Sequence, residues 1–149
     1  MITAIDTNVL LDLLVADETW CDLSAGALEA AAAAGSLVIC DVVYAELCVH
    51  FRSQHHCDEF LEQNQIRVES LGRAAGFLAG RAWREYRRQG GKRNRILPDF
   101  LIAAHAAVQA SQLLTRDRGF YRERFPALRL VEPGTSQTGV PRRPKPPSA

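Results

Sequence analysis

Along the chain, short apolar runs of strand length alternate with longer segments in which apolar residues recur at helical spacing. Residues 2–5 form the first such run, which ends at Asp6. Residues 7–15 then predict a helix with Val9, Leu10, Leu13 and Leu14 on its apolar side. The alanine-rich stretch 19–34 predicts a second helix, stopped by Gly35. A second strand is expected at 37–40. Asp41 is placed to cap a helix over 42–51, and Ser53 to start another through Gln65. The run 66–71 predicts a third strand, followed by a basic helix over 72–88 with Phe77, Leu78 and Trp83 available for packing. After a polar loop, Pro98 suits the first position of a helix reaching about Ala110. Residues 113–115 and 128–131 predict the last two strands, with a short helix from Asp117 between them.

Strands alternating with helices predict an α/β fold, a central parallel sheet of about five strands with helices on both faces. In such open sheets ligands bind beyond the carboxyl ends of the strands, where the strand order reverses. Asp6 follows the first strand and Asp117 the fourth, so a reversal between those two strands brings both carboxylates to one crevice.

Composition adds limits. The chain has 149 residues, 47% of them apolar and 23% charged, with a net charge of +1, as expected of one ordinary globular domain. No apolar run approaches the length of a membrane span, and Asp6 interrupts any leader-like opening. Cys21, Cys40, Cys48 and Cys57 form no C-x-x-C pair, so a cytoplasmic chain with reduced thiols is expected. Charge is uneven. Arg81, Arg84, Arg87, Arg88, Lys92, Arg93 and Arg95 are offset only by Glu85, which reads either as a solvated helix face or as a surface for phosphate backbones. Within that run Trp83 is expected in the core, while Tyr86 is open to either packing or stacking on bases. Residues 134–149, rich in proline and basic residues and without an acid, are expected to be a flexible tail.

Four acids stand out: Asp6, Glu46, Asp99 and Asp117. Taken singly, each has an ordinary explanation. Asp6 and Asp117 suit helix caps, Asp99 the favourable charge of a helix start, and Glu46 a polar position on a half-exposed helix. Together they fall where the fold converges. Two carboxylates about 4 Å apart repel by roughly 4 kcal/mol, so such a cluster calls for a hard cation. Mg²⁺ suits carboxylate oxygens, and a set without His or Cys disfavours zinc. Such an ion neutralises phosphate charge and activates water for attack on phosphorus. The group Cys48, His50, His55, His56 and Cys57 matches no zinc-finger spacing, and His105 reads as a packed histidine. No phosphate-binding glycine loop and no G-x-S-x-G segment is present.

The segments Asp6-Thr7-Asn8-Val9-Leu10-Leu11, Tyr44-Ala45-Glu46-Leu47, the stretch from Pro98-Asp99-Phe100 to His105-Ala106, and the stretch from Leu114-Thr115-Arg116-Asp117 to Phe120-Tyr121 resemble the signature segments of PIN domains. More narrowly they are similar to those of VapC-type toxins of bacterial toxin–antitoxin pairs. The resemblance runs from Ile2 to about Pro133 and makes residues 1–133 the nuclease domain. It implies a three-layer α/β/α sandwich, Mg²⁺ or Mn²⁺ held by Asp6, Glu46, Asp99 and Asp117, and hydrolysis of RNA. Thr7 or Asn8 and Thr115 fall at polar positions lining such sites, and Arg87, Arg88 and Arg93 are candidate RNA contacts. A homodimer bound to a cognate antitoxin is also implied, the antitoxin placing a basic side chain among the acids. Two other functions stay open. One is a PIN-type nuclease in RNA processing or DNA cleavage without an antitoxin. The other is a non-enzymatic acidic-pocket module, opposed by the lack of a lysine directly after either of the final strands to partner a phosphoryl group.

Overall fold

The computed structural model describes residues 1–91 and 97–135. Five strands form one sheet in the order β3-β2-β1-β4-β5, every neighbouring pair parallel. They are β1 (Ile2–Ile5), β2 (Ser36–Cys40), β3 (Ile66–Glu69), β4 (Gln112–Leu114) and β5 (Leu130–Val131). Among the described residues seven helices complete the α/β/α sandwich: α1 (Thr7–Leu14), α2 (Cys21–Ala34), α3 (Asp41–Cys48), α4 (Gln54–Gln63), α5 (Arg73–Arg88), α6 (Leu97–Gln109) and α7 (Arg118–Arg124). No described helix is long and apolar enough to cross a membrane.

Strands β1, β2 and β4 are covered on both faces, which is why they read as continuous apolar runs rather than alternating ones. Strand β1 lies at the centre with β2 on one side and β4 on the other, Ala4 opposite Val38 and Ile5 opposite Leu114. The strand order therefore reverses between β1 and β4. The backbone N–H groups of Asp6 and Thr115 extend the ladder past the strand ends, donating to Leu114 and Val131 at 2.9 Å each. At the other end of the sheet a side chain on Gly35 would collide with the Met1 backbone, so only glycine lets β2 start there.

Helices α5 and α6 pack on each other through an aromatic group centred on Phe100, whose ring lies 5.4 Å from Tyr86, 5.3 Å from Phe120 and 6.2 Å from Phe125. Burying a phenylalanine contributes about 1.5–3 kcal/mol, and here it also anchors the first turn of α6, where Asp99 precedes Phe100.

Several local expectations shift. Asp41 opens α3 but does not cap it; its Oδ2 accepts from the Leu71 backbone N–H at 3.2 Å. Ser53 does cap α4, accepting from the His56 N–H. Helix α2 starts at Cys21 because Asp17 gathers the N–H groups of Thr19 and Trp20 into a preceding turn. On α5 the inward face is Ala75, Ala79 and Tyr86, so Tyr86 is buried, Trp83 only partly so, and Phe77 is 70% exposed beneath the Arg81 guanidinium. Residues 92–96 and 136–149, which include Arg93 and nearly all of the tail, lie outside the described residues.

Candidate active site

The crevice begins with Asp6. It directly follows β1, with its side chain 6% exposed. Its Oδ1 accepts from the Thr7 backbone N–H at 2.8 Å, so the ordinary capping role exists. Its Oδ2 accepts from the hydroxyls of Thr115 (2.8 Å) and Tyr121 (3.0 Å) and from the Asn8 amide (3.3 Å). All four donors are neutral. Burial pushes the carboxyl up to about 6, the Thr115, Tyr121 and Thr7 hydrogen bonds oppose that rise, and the Asp99 charge adds to it.

Asn8 and Thr115 tie the β1 and β4 ends together. The Thr115 hydroxyl accepts from the Asp117 N–H at 3.0 Å and faces the Asn8 amide at 3.5 Å, while Asn8 Oδ1 accepts from the Arg116 N–H at 3.2 Å. Asp117 occupies the cap position of α7, yet its side chain makes no capping hydrogen bond. Its ordinary structural explanation is therefore not the one the fold uses.

Glu46 reaches the crevice from α3, half-buried. Burial raises its carboxyl above the usual range, the nearby Thr7 side chain counters this, and the Asp99 charge adds to it. The Thr7 hydroxyl oxygen is itself buried and lacks a hydrogen-bond partner of ordinary geometry. Asp99, in the first turn of α6, is thus felt by both Asp6 and Glu46. Tyr121 joins the set. Its phenol is pushed far up by burial first, then by the charges of Asp6 and Asp99, by its bond to Asp6, and by Asp117. The four acids accordingly share one electrostatic neighbourhood. Among the described residues, however, no three acidic, His or Cys side chains are grouped tightly enough to hold a metal as they stand.

Two features were not singled out from sequence. One is Tyr121, 115 residues from the aspartate it touches. The other is a part-buried ion pair behind the crevice, its aspartate buried and its arginine partly exposed: Arg116 Nη2 donates to Asp12 Oδ1 at 2.7 Å, and the Ser24 hydroxyl to Asp12 Oδ2 at 2.7 Å. The Arg116 guanidinium also lies 4.8 Å over the Trp20 ring. This pair fixes the loop carrying Thr115 and Asp117 onto α1 and α2. The only sequence signal was a charged residue between Leu11 and Leu13. Arg87 and Arg88 sit exposed on the last turn of α5, Arg87 over Trp83 at 5.6 Å. His105 is buried, as its apolar helix suggested, and meets Glu69 at 3.1 Å.

Known proteins of the same architecture are numerous. A chain of the VapBC2 structure from Rickettsia felis, described as bound to a DNA fragment from its promoter, superposes with a TM-score of 0.67 at 24% identity, covering 89% of this chain and 98% of that one. VapBC-1 from nontypeable Haemophilus influenzae gives 0.66 at 20% identity over the same shares. A toxin–antitoxin complex from Klebsiella pneumoniae gives 0.62 at 20%, covering 87% and 95%. Comparison with curated protein sequences returned no match. At these identities the likeness establishes the fold. The family model of the PIN domain matches residues 3–125, most of the chain and all four acidic segments, and the protein therefore belongs to the PIN domain family.

Proposed function

We propose that this PIN domain is a Mg²⁺- or Mn²⁺-dependent endoribonuclease, the toxin of a VapBC-type pair, with Asp6, Glu46, Asp99 and Asp117 holding the ion. Asp6 carries this reading. A carboxylate buried among neutral donors, pushed up to about 6, and feeling Asp99 besides, is stabilised by a cation more than by any other partner. The surroundings fit a hard ion: the candidate donors are all oxygens, and the buried Thr7 hydroxyl adds another beside Glu46. When bound, the ion would neutralise phosphate charge and activate water. The chain's own part is positional. Thr115 and Asn8 hold Asp6 and the Asp117 backbone in one frame, and Tyr121 fixes the Asp6 oxygen that faces it.

The solved structures of this fold described as VapBC or toxin–antitoxin complexes support an antitoxin partner; RNA as substrate and a homodimeric assembly are proposed with it from the resemblance of the four acidic segments. An antitoxin arginine or lysine entering the crevice would quench the same charge that the ion does. Arg87, Arg88 and Arg93 are proposed to hold RNA phosphates without taking part in chemistry. The test is incubation of purified protein with total RNA and Mg²⁺ or Mn²⁺, followed by mapping of the cut ends. Cleavage at defined positions that stops in excess EDTA is expected. Full activity in EDTA, or cleavage of DNA alone, would overturn the reading.

A further inference from the structure

Helix α5 turns one face to α6 and the other to solvent. Ala75, Ala79 and Tyr86 are buried, and the packing of Tyr86 on Phe100 sets that orientation. The opposite face carries Arg73, Phe77, Arg81, Arg84 and Arg88, three or four residues apart and all exposed, so they form one row along the helix. Among the described residues Phe77 is the only exposed phenylalanine, tyrosine or tryptophan, and it takes no part in the core. Further along, Trp83 is only partly covered. Each ring has an arginine over it, Arg81 at 5.3 Å from the Phe77 centroid and Arg87 at 5.6 Å from that of Trp83. Gly80 falls midway between Phe77 and Trp83 on the ridge that joins positions three apart, and a side chain there would meet nothing within 4 Å. Glycine weakens a helix interior, and no neighbour in the fold requires it here. Its effect is to leave the backbone between the two rings open to a flat group.

Charge decides what such a face receives. The helix holds five arginines and one acid, Glu85. Pairing α5 with a second copy of itself would set arginine against arginine. A nucleic-acid strand answers both features, its phosphates meeting the guanidinium groups and its bases covering the rings. A duplex keeps its bases stacked inside and answers only the first. We propose that the outer face of α5 is a platform for single-stranded RNA, with bases stacked on Phe77 and Trp83 and the flanking phosphates held by Arg73, Arg81 and Arg84. The platform presupposes the ribonuclease reading and adds the form of RNA that reaches the acids. The face leads toward them: Arg88 ends α5 close to Tyr86, whose ring packs on Phe100, the residue after Asp99. From Phe77 to Arg88 the row covers about 16 Å of helix. Stacking tolerates every base, so the platform selects unpaired stretches rather than a sequence.

The test measures binding apart from cleavage. The full chain in EDTA is titrated against a short unstructured fluorescent RNA and against the same strand paired in a duplex, and cleavage of the single strand is followed separately in Mg²⁺. Phe77→Ala, a change at an exposed position, should weaken single-strand binding at least about fivefold. It should leave the duplex affinity and the salt dependence as they were, since no charge is lost. Phe77→Tyr, which keeps a ring, should bind as the parent does. Arg81→Ala with Arg84→Ala should weaken binding of both RNAs and flatten the salt dependence by about one unit of slope or more. Unchanged single-strand affinity in Phe77→Ala, or an equal loss on the duplex, would overturn the proposal while cleavage in Mg²⁺ upholds the nuclease reading. Binding of neither RNA by the parent would overturn it too, and absence of cleavage besides would take the nuclease reading with it. A parent dimer that dissociates in Phe77→Ala, with RNA affinity unchanged, would make this face a contact between copies instead.

Discussion

Asp6 and Asp12 sit six residues apart at the start of one chain segment, and both are almost inaccessible, at 6% and 2%. Their surroundings differ in kind. Asp12 meets the Arg116 guanidinium and the Ser24 hydroxyl, so its charge is neutralised within the protein. Asp6 meets four donors, none of them charged, and feels a second carboxylate in Asp99. Burying a charge costs several kcal/mol unless something opposite stands beside it. The fold meets that cost for Asp12 from within. For Asp6 it leaves the cost open, which is what a site awaiting an external cation requires.

The largest expected effect breaks the paired member. Arg116→Ala leaves the Asp12 carboxylate buried with one hydroxyl, and stability should fall by about 3–5 kcal/mol in urea titrations. Replacing both partners, Asp12→Asn with Arg116→Met, should recover most of that loss. A loss below about 1 kcal/mol for Arg116→Ala would mean that Asp12 does not depend on its pair, and the contrast with Asp6 would fail.

Next comes the unpaired side. Asp99→Asn removes a charge felt by Asp6 and Glu46 with little change of shape. RNA cleavage should drop at least about 100-fold, since even outer-shell partners of a metal are worth 10–100-fold. The metal-free protein should melt no lower than the parent, and Mg²⁺ should stabilise the parent more than the variant. A variant that melts lower yet cuts at the parental rate would make Asp99 a structural helix-start charge.

The smallest effect is a pH dependence. In the unfolded chain Asp6 loses its proton near pH 4; in the folded, metal-free protein it keeps it to about 6. Between those values the folded state binds more protons, so this group lowers stability as pH rises, and the penalty is complete above about pH 6. It amounts to at most about 3 kcal/mol. Melting curves across that window should show this slope in the parent, a flatter one in Asp6→Asn, and recovery on adding Mg²⁺. Tyr121→Phe removes a hydrogen bond that favours the charged form, so it should carry the decline on to higher pH. A parental slope of the opposite sign, lost in Asp6→Asn, would contradict the assignment.

Much of this was readable from the residues. The parallel sheet and the four acidic segments follow from patterns that are local or repeat at fixed spacing, whereas the reversal between β1 and β4 entered only as a condition that the strand order meets. What was not readable depends on partners far apart in the chain. Asp12 and Arg116 are 104 residues apart, Asp6 and Tyr121 115, and no periodicity encodes such a pairing. Trp83 and Tyr86 lie within one turn of α5, and only the packing of Phe100 decides which turns inward. Asp41 had the right residue type for a cap, but the Leu71 N–H, 30 residues on, takes its carboxylate.

The place of β1 in the sheet also sets a timetable. It leaves the ribosome more than a hundred residues ahead of β4, yet only β4 completes its second edge. Pairing of such distant segments is slow, because the long loop between them must close before any contact rewards it. During synthesis the chain can lay β2 and β3 beside β1, but Thr115, Asp117 and Tyr121 do not yet exist. Every nascent chain therefore carries Asp6 without the partners that frame it until the last quarter of the described residues has emerged. A site whose parts lie this far apart in the chain is, by this arrangement, completed late in its own synthesis.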